Sequence, residues 1–196
     1  ISMQIDDRAR LRDGAFELGL TLDETALDQF ERYEQLLRAW NARMNLTRVP
    51  WDEIVPRHFL DSLSVCRAVN LGAPLRVLDV GAGAGFPGIP LKIALSHLEV
   101  TLLDSTRKRV EFLAAAICDL GLQQTQAVHG RAEGLARDSA WCGAHDLVVA
   151  RAVAPASTLV PWMLPFVRVG GAAVAMKSGA ASEEIAASVP LANEWG

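Results

Sequence analysis

The sequence lacks any stretch of the roughly 20 uncharged apolar residues that a membrane-spanning helix requires. Its opening residues, ISMQIDDRARLRDG, are charged and do not form the basic stub and apolar core of a secretory signal. We therefore expect a soluble protein of the cytoplasm. With 196 residues, 51% of them hydrophobic, the chain is long enough to bury the core of one main domain.

Cysteine is also scarce. The three cysteines, Cys66, Cys118 and Cys142, are odd in number and form no CxxC pair, which argues against a disulfide framework and against a zinc site. We expect them to be buried or neutral thiols. The four histidines lie too far apart along the chain to indicate a metal cluster, so we predict no metal site.

Residues 1–70 are predicted to form a helical region packed on the core. Thr21 and Glu24 have the spacing of a capping box, and the pattern after them predicts one long amphipathic helix. Its apolar residues recur at steps of three or four and are interpreted as core: Leu27, Phe30, Tyr33, Leu37, Trp40 and Met44. A shorter helix ends near Gly19, and a third begins at Pro56, since proline favours the first helical position.

From Arg76 onward the pattern changes to short β-branched runs that alternate with helical segments. Strands are predicted at Arg76 to Val80, Glu99 to Asp104, Thr125 to His129, Asp146 to Ala150 and Gly171 to Met176. Helices are predicted to begin near Pro87, Thr106, Arg131 and Pro155. This alternation predicts an α/β fold with a mostly parallel sheet and helices on both faces, spanning residues 71–196.

The first predicted strand runs into the glycine-rich segment LDVGAGAGFPGIPL, which contains Gly81, Gly83 and Gly85. Such a turn is typical of nucleotide-binding sheets, so a nicotinamide dehydrogenase has to be considered. However, Pro87 and Pro90 remove N–H groups that would hold a diphosphate. Asp79 adds a carboxylate, which favours a positively charged ligand such as S-adenosylmethionine.

Asp104 ends the second predicted strand, where a carboxylate reaches the ribose hydroxyls of either kind of cofactor. The alternative is that Asp104 only caps the helix that follows. Because ligands bind at the carboxyl ends of parallel strands, a carboxylate at this position supports an adenosine site without choosing between the two cofactors.

The net charge of −4 argues against a general nucleic-acid coat, so any contact with RNA requires basic residues concentrated on one face. Such residues follow successive predicted strands: Arg107, Lys108, Arg109, Arg131, Arg151 and Lys177. They could be ordinary surface cations, but their repetition favours a polyanionic substrate. Arg151 is the strongest candidate because it directly follows the apolar run DLVVA.

The residues after the fourth predicted strand, ARAVAPAS, restrict the chemistry. They contain no cysteine nucleophile for methylation of pyrimidine carbon 5, and no Asp/Asn-Pro-Pro-aromatic turn for methylation of an adenine amine. Guanine N7 has a lone pair and no proton, so its methylation requires positioning and no general base. An arginine-rich site is compatible with that acceptor.

Several segments together resemble the ribosomal RNA small subunit methyltransferase G family, also called glucose-inhibited division protein B. They are WNARMNLT, RHFLDSL, LDVGAGAGFPGIPL, LLDSTRKRVEFL, GRAE and VVARAVA. The resemblance implies a Rossmann-like methyltransferase fold and transfer of a methyl group from S-adenosylmethionine to N7 of a guanine in 16S rRNA, leaving S-adenosylhomocysteine. It also implies closing C-terminal strands, which are missing from a sequence that stops at Gly196.

The resemblance also implies roles for individual residues. The cofactor would contact Asp79, Gly81, Gly83, Gly85, Phe86, Asp104, Ala132, Glu133 and Arg151. The catalytic side of the cleft would include Asn45, His58, Arg131, Arg151 and Lys177, with Arg57 and Asp61 nearby. His58 could equally be a helix-surface or capping residue.

Two other functions remain open at this stage. The chain could methylate an acidic small molecule, or it could be a nucleotide-binding module without catalysis. The expected partner is 16S rRNA or the small ribosomal subunit, and we expect a monomer without a membrane or an obligate protein partner. The salt dependence of substrate binding would separate RNA from a small acid.

Overall fold

The computed structural model describes residues 5–151 and 155–176. Two helices open this part of the chain, α1 (Ile5–Glu17) and α2 (Glu24–Met44). The side chain of Asp23, which precedes α2, accepts a hydrogen bond from the Ala26 N–H at 2.7 Å. The predicted Thr21 capping box is therefore wrong, because α2 begins only after Asp23 and the aspartate supplies the cap.

A mixed helical segment, 51–67, follows α2. It consists of 3-10 turns at Trp51–Glu53 and Ser64–Arg67, a π turn at Val55–Leu60 and one α turn, α3 (Asp61–Leu63). The segment begins before Pro56, where the sequence pattern placed its start, and the π turn contains this proline. π turns are frequent at functional sites, and this one carries Arg57 and His58.

The described strands form one parallel five-stranded sheet in the order β3-β2-β1-β4-β5. They are β1 (Arg76–Val80), β2 (Glu99–Asp104), β3 (Thr125–His129), β4 (His145–Arg151) and β5 (Val167–Met176). The first three match the prediction. β5 begins before the predicted Gly171 because the strand continues through an irregularity at Gly170, which has a positive φ of 77°.

Four helices connect or follow the strands, and the predicted starts agree with them. They are α4 (Gly88–Ala94), α5 (Arg107–Asp119), α6 (Ala132–Leu135) and α7 (Ala156–Met163). Alternate strand residues face opposite sides of the sheet. Val77, Val100 and Val149 belong to the core on the α2 side, whereas Leu78 and Val148 pack with the core that contains α7. Helices thus cover both faces, as predicted.

The N-terminal helices pack on the same side of the sheet as α4 and α5. Arg32 of α2 forms a two-pronged ion pair with Asp119 of α5, with N–O distances of 2.5 and 2.8 Å. Trp40 packs edge-on against Phe112 at 5.6 Å between ring centroids, which supports interpreting the α2 stripe as core. The division of the chain at residue 70 stays a prediction.

The described residues also show the exposure of the cysteines, the distribution of metal-binding side chains and the length of the helices. Cys66 is half-buried, whereas Cys118 and Cys142 are exposed, so burial does not apply to these two. That their thiols are neutral stays a prediction. Across residues 5–151 and 155–176, no cluster of histidine, cysteine and carboxylate side chains could hold a metal ion. In the same ranges, every helix is too short or too polar to cross a bilayer.

Candidate active site

The candidate site lies where the carboxyl ends of β1, β2 and β4 meet. In the sheet, β1 lies between β2 and β4. The chain first adds β2 and β3 on one side of β1 and then adds β4 and β5 on the other side, so the point between β1 and β4 is a topological switch point. Open α/β sheets bind ligands in the crevice at such a point. Two adjoining cavities occupy it, and both are lined by Gly81, Asp104 and Ser105.

The glycine turn between β1 and α4 is held by bonds within the protein. Gly81, Gly83 and Gly85 have positive φ angles of 72°, 60° and 96°, which explains the spacing of the glycines. Seven backbone N–H groups in and after the turn donate hydrogen bonds to carbonyl or carboxylate oxygens of the protein itself: those of Gly81, Ala82, Gly83, Gly85, Phe86, Gly88 and Ile89. A diphosphate needs such N–H groups free, so the turn does not suit a dinucleotide.

Asp79 lies beneath this turn. Its side chain is fully buried, and Oδ2 accepts a hydrogen bond from the Gly88 N–H at 2.8 Å. A Cβ atom at position 88 would lie 2.8 Å from Oδ2 and 2.4 Å from Leu102, so the helix start and the carboxylate require this glycine. The structure therefore places Asp79 under the turn and not on the cleft wall, where the sequence pattern placed it, because its side chain lies on the face of β1 that α4 covers and meets Gly88 there.

Asp104 lies between the two cavities and is almost fully buried. Its carboxylate accepts N–H groups from Gly83 at 2.9 Å and from Thr106 at 2.8 Å, and Arg109 approaches it to 3.6 Å. The bond to Thr106 is the local role that was weighed against ligand binding. The two are compatible because a carboxylate can accept about four hydrogen bonds.

The smaller cavity has a volume of about 110 Å³. Arg131, Ala132 and Glu133 line it from the start of α6, and Trp162 of α7 lines it as well. Arg131 and Glu133 are exposed at the rim, whereas Ala132 is buried. The segment GRAE therefore lies beside the glycine turn, in the same cavity as Gly81.

The larger cavity, of about 380 Å³, lies on the other side of Asp104. Its lining includes Gly81 and Gly83 of the turn together with Phe86, His58, Leu46, Arg109 and Arg151. Gly85 is buried behind the turn and is not part of this lining. The mixed helical segment 51–67 thus supplies one wall, and the sheet supplies the other.

Arg151, the last residue of β4, joins these two walls. Its guanidinium donates to the Asp61 carboxylate at 3.0 Å, to the Arg57 carbonyl at 3.2 Å and to His58 Nδ1 at 2.9 Å. The same group lies 4.6 Å above the centre of the Phe86 ring, a cation–π distance. His58, Asp61, Arg151 and the Arg57 carbonyl form one cluster. The Arg57 side chain lies outside it and pairs with Glu53 at 2.7 Å.

His58 is buried in this cluster and is not a helix-surface residue. His58 Nδ1 lies 2.9 Å from the Arg151 guanidinium, which can only donate, and 3.0 Å from the Arg57 carbonyl, which can only accept. We assign the proton to Nε2, where it is donated to Thr47 Oγ1 at 2.6 Å, so that Nδ1 accepts from Arg151. The imidazole also stacks on Phe86, with 4.3 Å between ring centroids.

We expect His58 to stay neutral throughout the physiological range. Burial, followed by the positive charge of Arg151, lowers its pKa to about 4. Its contribution to stability is therefore lost as the pH falls from about 6.5 to about 4, since the unfolded chain binds the proton more readily. A ¹⁵N NMR titration should show the Nε2–H tautomer down to about pH 5, whereas a midpoint near 6.5 would contradict this arrangement.

The other predicted residues lie outside this cluster. Asn45 is the exposed C-cap of α2, with φ 50° and ψ 52°, and only its neighbour Leu46 lines the cleft. Arg107 and Lys108 are exposed on α5 and are absent from the cavity linings. Lys177 lies outside the described residues.

The sequence pattern did not indicate the roles of three residues, Asn41, Thr47 and Tyr33. Thr47 orients His58, and its own backbone N–H is held by the Asn41 side chain at 2.9 Å. Both residues belong to the segment WNARMNLT, so the quoted motif contained the signal although only Asn45 was singled out. Tyr33 of α2 donates to the Ala84 carbonyl in the glycine turn, which the periodic apolar pattern alone could not indicate.

The parallel sheet, the glycine turn and the cleft define a Rossmann-like methyltransferase. A solved structure of similar fold is ribosomal protein L11 methylase from Lactobacillus delbrueckii subsp. bulgaricus, with a TM-score of 0.54 and 20% identity, covering 68% of this chain and 66% of that one. Residues 26–191 match the family model GidB, rRNA small subunit methyltransferase G, and the chain belongs to this family.

Two relatives illustrate the similarity. Ribosomal RNA small subunit methyltransferase G of Thermoanaerobacter sp. (strain X514) is 45% identical over 176 residues, which cover 89% of this chain and 73% of the relative. The protein of the same name from Alkaliphilus metalliredigens (strain QYMF) is 43% identical over 182 residues, covering 92% and 76%. The resemblance stated from the sequence is confirmed.

Proposed function

We propose that this chain transfers a methyl group from S-adenosylmethionine to N7 of a guanine in 16S rRNA. The observation that carries this proposal is the pairing of two features in one cleft. A glycine turn with internally satisfied N–H groups lies beside the guanidinium groups of Arg109, Arg131 and Arg151. The turn suits a cofactor without phosphate, and the arginines suit a substrate with many phosphates.

The described residues fit S-adenosylmethionine in size and chemistry. We assign the adenine to the cavity of Ala132 and Glu133, the ribose to Asp104, and the methionine part to the larger cavity beside Phe86. When bound, the cofactor supplies an electrophilic methyl group on a positively charged sulfur. Asp79 acts indirectly in this proposal, since it fixes the turn from below.

The residues of the cleft need to position the acceptor and need not remove a proton. Guanine N7 carries a lone pair, and the positive charge that leaves sulfur moves onto the purine. Arg131 and Arg151 can hold the backbone or the guanine edge, whose N7 and O6 atoms accept a two-pronged contact from arginine. We assign His58, as a neutral imidazole, to orienting Arg151, whose guanidinium lies 2.9 Å from His58 Nδ1.

Small subunits from a strain that lacks the gene, incubated with labelled S-adenosylmethionine, test this function. We expect the label at N7 of a guanine in 16S rRNA, and a label on adenine or cytosine would reject the assignment.

Binding of the rRNA substrate should weaken steeply as the salt concentration rises, since phosphate contacts release counterions, whereas binding of an acidic metabolite would show only a mild dependence. We further propose that the protein acts as a monomer in the cytoplasm, where these subunits are found.

A further inference from the structure

Tyr33 connects the N-terminal helices to the glycine turn. It is the only tyrosine in the chain, and it is fully buried on α2. Its hydroxyl donates to the carbonyl of Ala84, 51 residues further along the chain. Burial raises the pKa of the phenol well above its usual value, so the hydroxyl keeps the proton that it donates.

The turn is shaped to receive this hydroxyl. A Cβ atom at Gly85 would lie 2.8 Å from the Tyr33 oxygen and 2.5 Å from Ile89, so the missing side chain leaves the space that the phenol occupies. Gly85 also has a φ of 96°, which other residues rarely adopt. Tyr33 and Gly85 are therefore a matched pair, and either one restricts what the other position can hold.

The contact acts on residues that line the cleft. Ala84 and its neighbours Ala82 and Gly83 form the wall of the larger cavity. The Tyr33 ring also packs against Phe86, with 5.6 Å between ring centroids, and His58 stacks on that same Phe86 ring. The hydroxyl thus holds the turn from the side of α2, while Asp79 holds it at Gly88.

We propose that Tyr33 is a positioning residue that fixes the glycine turn in its cofactor-binding conformation, so that α2 is part of the cofactor site. This proposal rests on the proposed function. Without the hydroxyl, the buried Ala84 carbonyl loses its partner, and the turn gains freedom that cofactor binding must then remove. The affinity for the cofactor should fall, while the rate at saturating cofactor should change little.

Calorimetric titration with S-adenosylhomocysteine tests this assignment in Tyr33→Phe. We expect Kd and the KM for S-adenosylmethionine to rise about fivefold to tenfold, the worth of one buried hydrogen bond, with kcat nearly unchanged. Phe30→Leu is the matched control, because Phe30 lies one turn earlier on α2 and packs against Phe59. It should lower Tm and leave Kd within about twofold.

The single tyrosine permits a second measurement that needs no substitution. Protein grown with 3-fluorotyrosine carries one ¹⁹F label, which should shift when S-adenosylhomocysteine binds because the turn transmits the change to the Tyr33 oxygen. An unchanged Kd in Tyr33→Phe, or an unmoved ¹⁹F resonance in protein shown by calorimetry to bind, would overturn the role of Tyr33 alone. Wild-type protein that fails to bind S-adenosylhomocysteine would overturn the proposed function and this role with it.

Discussion

Replacing Arg151 by alanine is expected to lower kcat/KM for rRNA methylation by on the order of a hundredfold. The guanidinium holds Asp61, His58 and the Arg57 carbonyl in one arrangement while lying over Phe86. Its loss releases the mixed helical segment 51–67 from β4 and removes a positive charge from the cleft. Methylation of small subunits with tritiated cofactor measures the effect.

Two further variants separate geometry from charge. Arg151→Lys keeps the charge but lacks the planar guanidinium, which reaches three acceptors and stacks on an aromatic ring. We therefore expect Arg151→Lys to restore only part of the activity that is lost in Arg151→Ala. Arg107→Ala removes an exposed arginine from α5, outside the cavity linings, and should retain most activity. Normal turnover in Arg151→Ala would contradict the role given to this residue.

Sequence reasoning predicted the fold well because local periodicity and global packing agree here. β1 and β2 are short apolar runs before clear helix starts, and the parallel sheet buries them on both faces, whereas the edge strand β3 is only partly buried. The error at β5 arose where this agreement ends. Gly170 and Gly171 look like a break in the pattern, but the strand passes through them with a shifted register against β4.

The candidate site was only partly predictable. Positions at strand ends, such as Asp104 and Arg151, follow from topology, since ligands bind at the carboxyl edge of the sheet. The grouping of His58 and Asp61 around Arg151 joins residues 90 and more positions apart and depends on how the segment 51–67 docks. Tyr33 has the same spacing as its apolar neighbours, so periodicity cannot distinguish its hydroxyl contact from packing.

Asp79 shows how burial changes the role of a predicted site residue. Its position before the glycine turn suggested a carboxylate facing the ligand, but strand alternation directs it inward against Gly88. Its second oxygen, Oδ1, is buried without a hydrogen-bond partner among the described residues. The pKa of Asp79 is raised from its ordinary value of 3.8 to about 7, mainly by burial and to a smaller extent by the charge of Asp104, while the Gly88 N–H and the charge of Arg151 oppose the rise.

Replacing Asp79 by asparagine should therefore change how stability depends on pH. The folded protein holds the Asp79 proton more tightly than the unfolded chain, so the free energy of unfolding of the wild type falls as the pH rises from about 4 to about 7. Asparagine cannot ionise. The stability of Asp79→Asn relative to wild type should rise over that interval by on the order of 4 kcal/mol, equivalent to about a thousandfold change in proton affinity.

Urea unfolding of both proteins at several pH values measures this difference, and Asp146→Asn is the opposing control. The Arg76 N–H, together with Arg168, lowers the pKa of Asp146, so that carboxylate stabilises the fold above its unfolded pKa and loses this effect in acid. Asp146→Asn should thus become less stable relative to wild type as the pH rises to about 3.8, below the interval in which Asp79 acts and opposite in sign to Asp79→Asn. A constant difference between Asp79→Asn and wild type would mean that Asp79 ionises normally under the glycine turn.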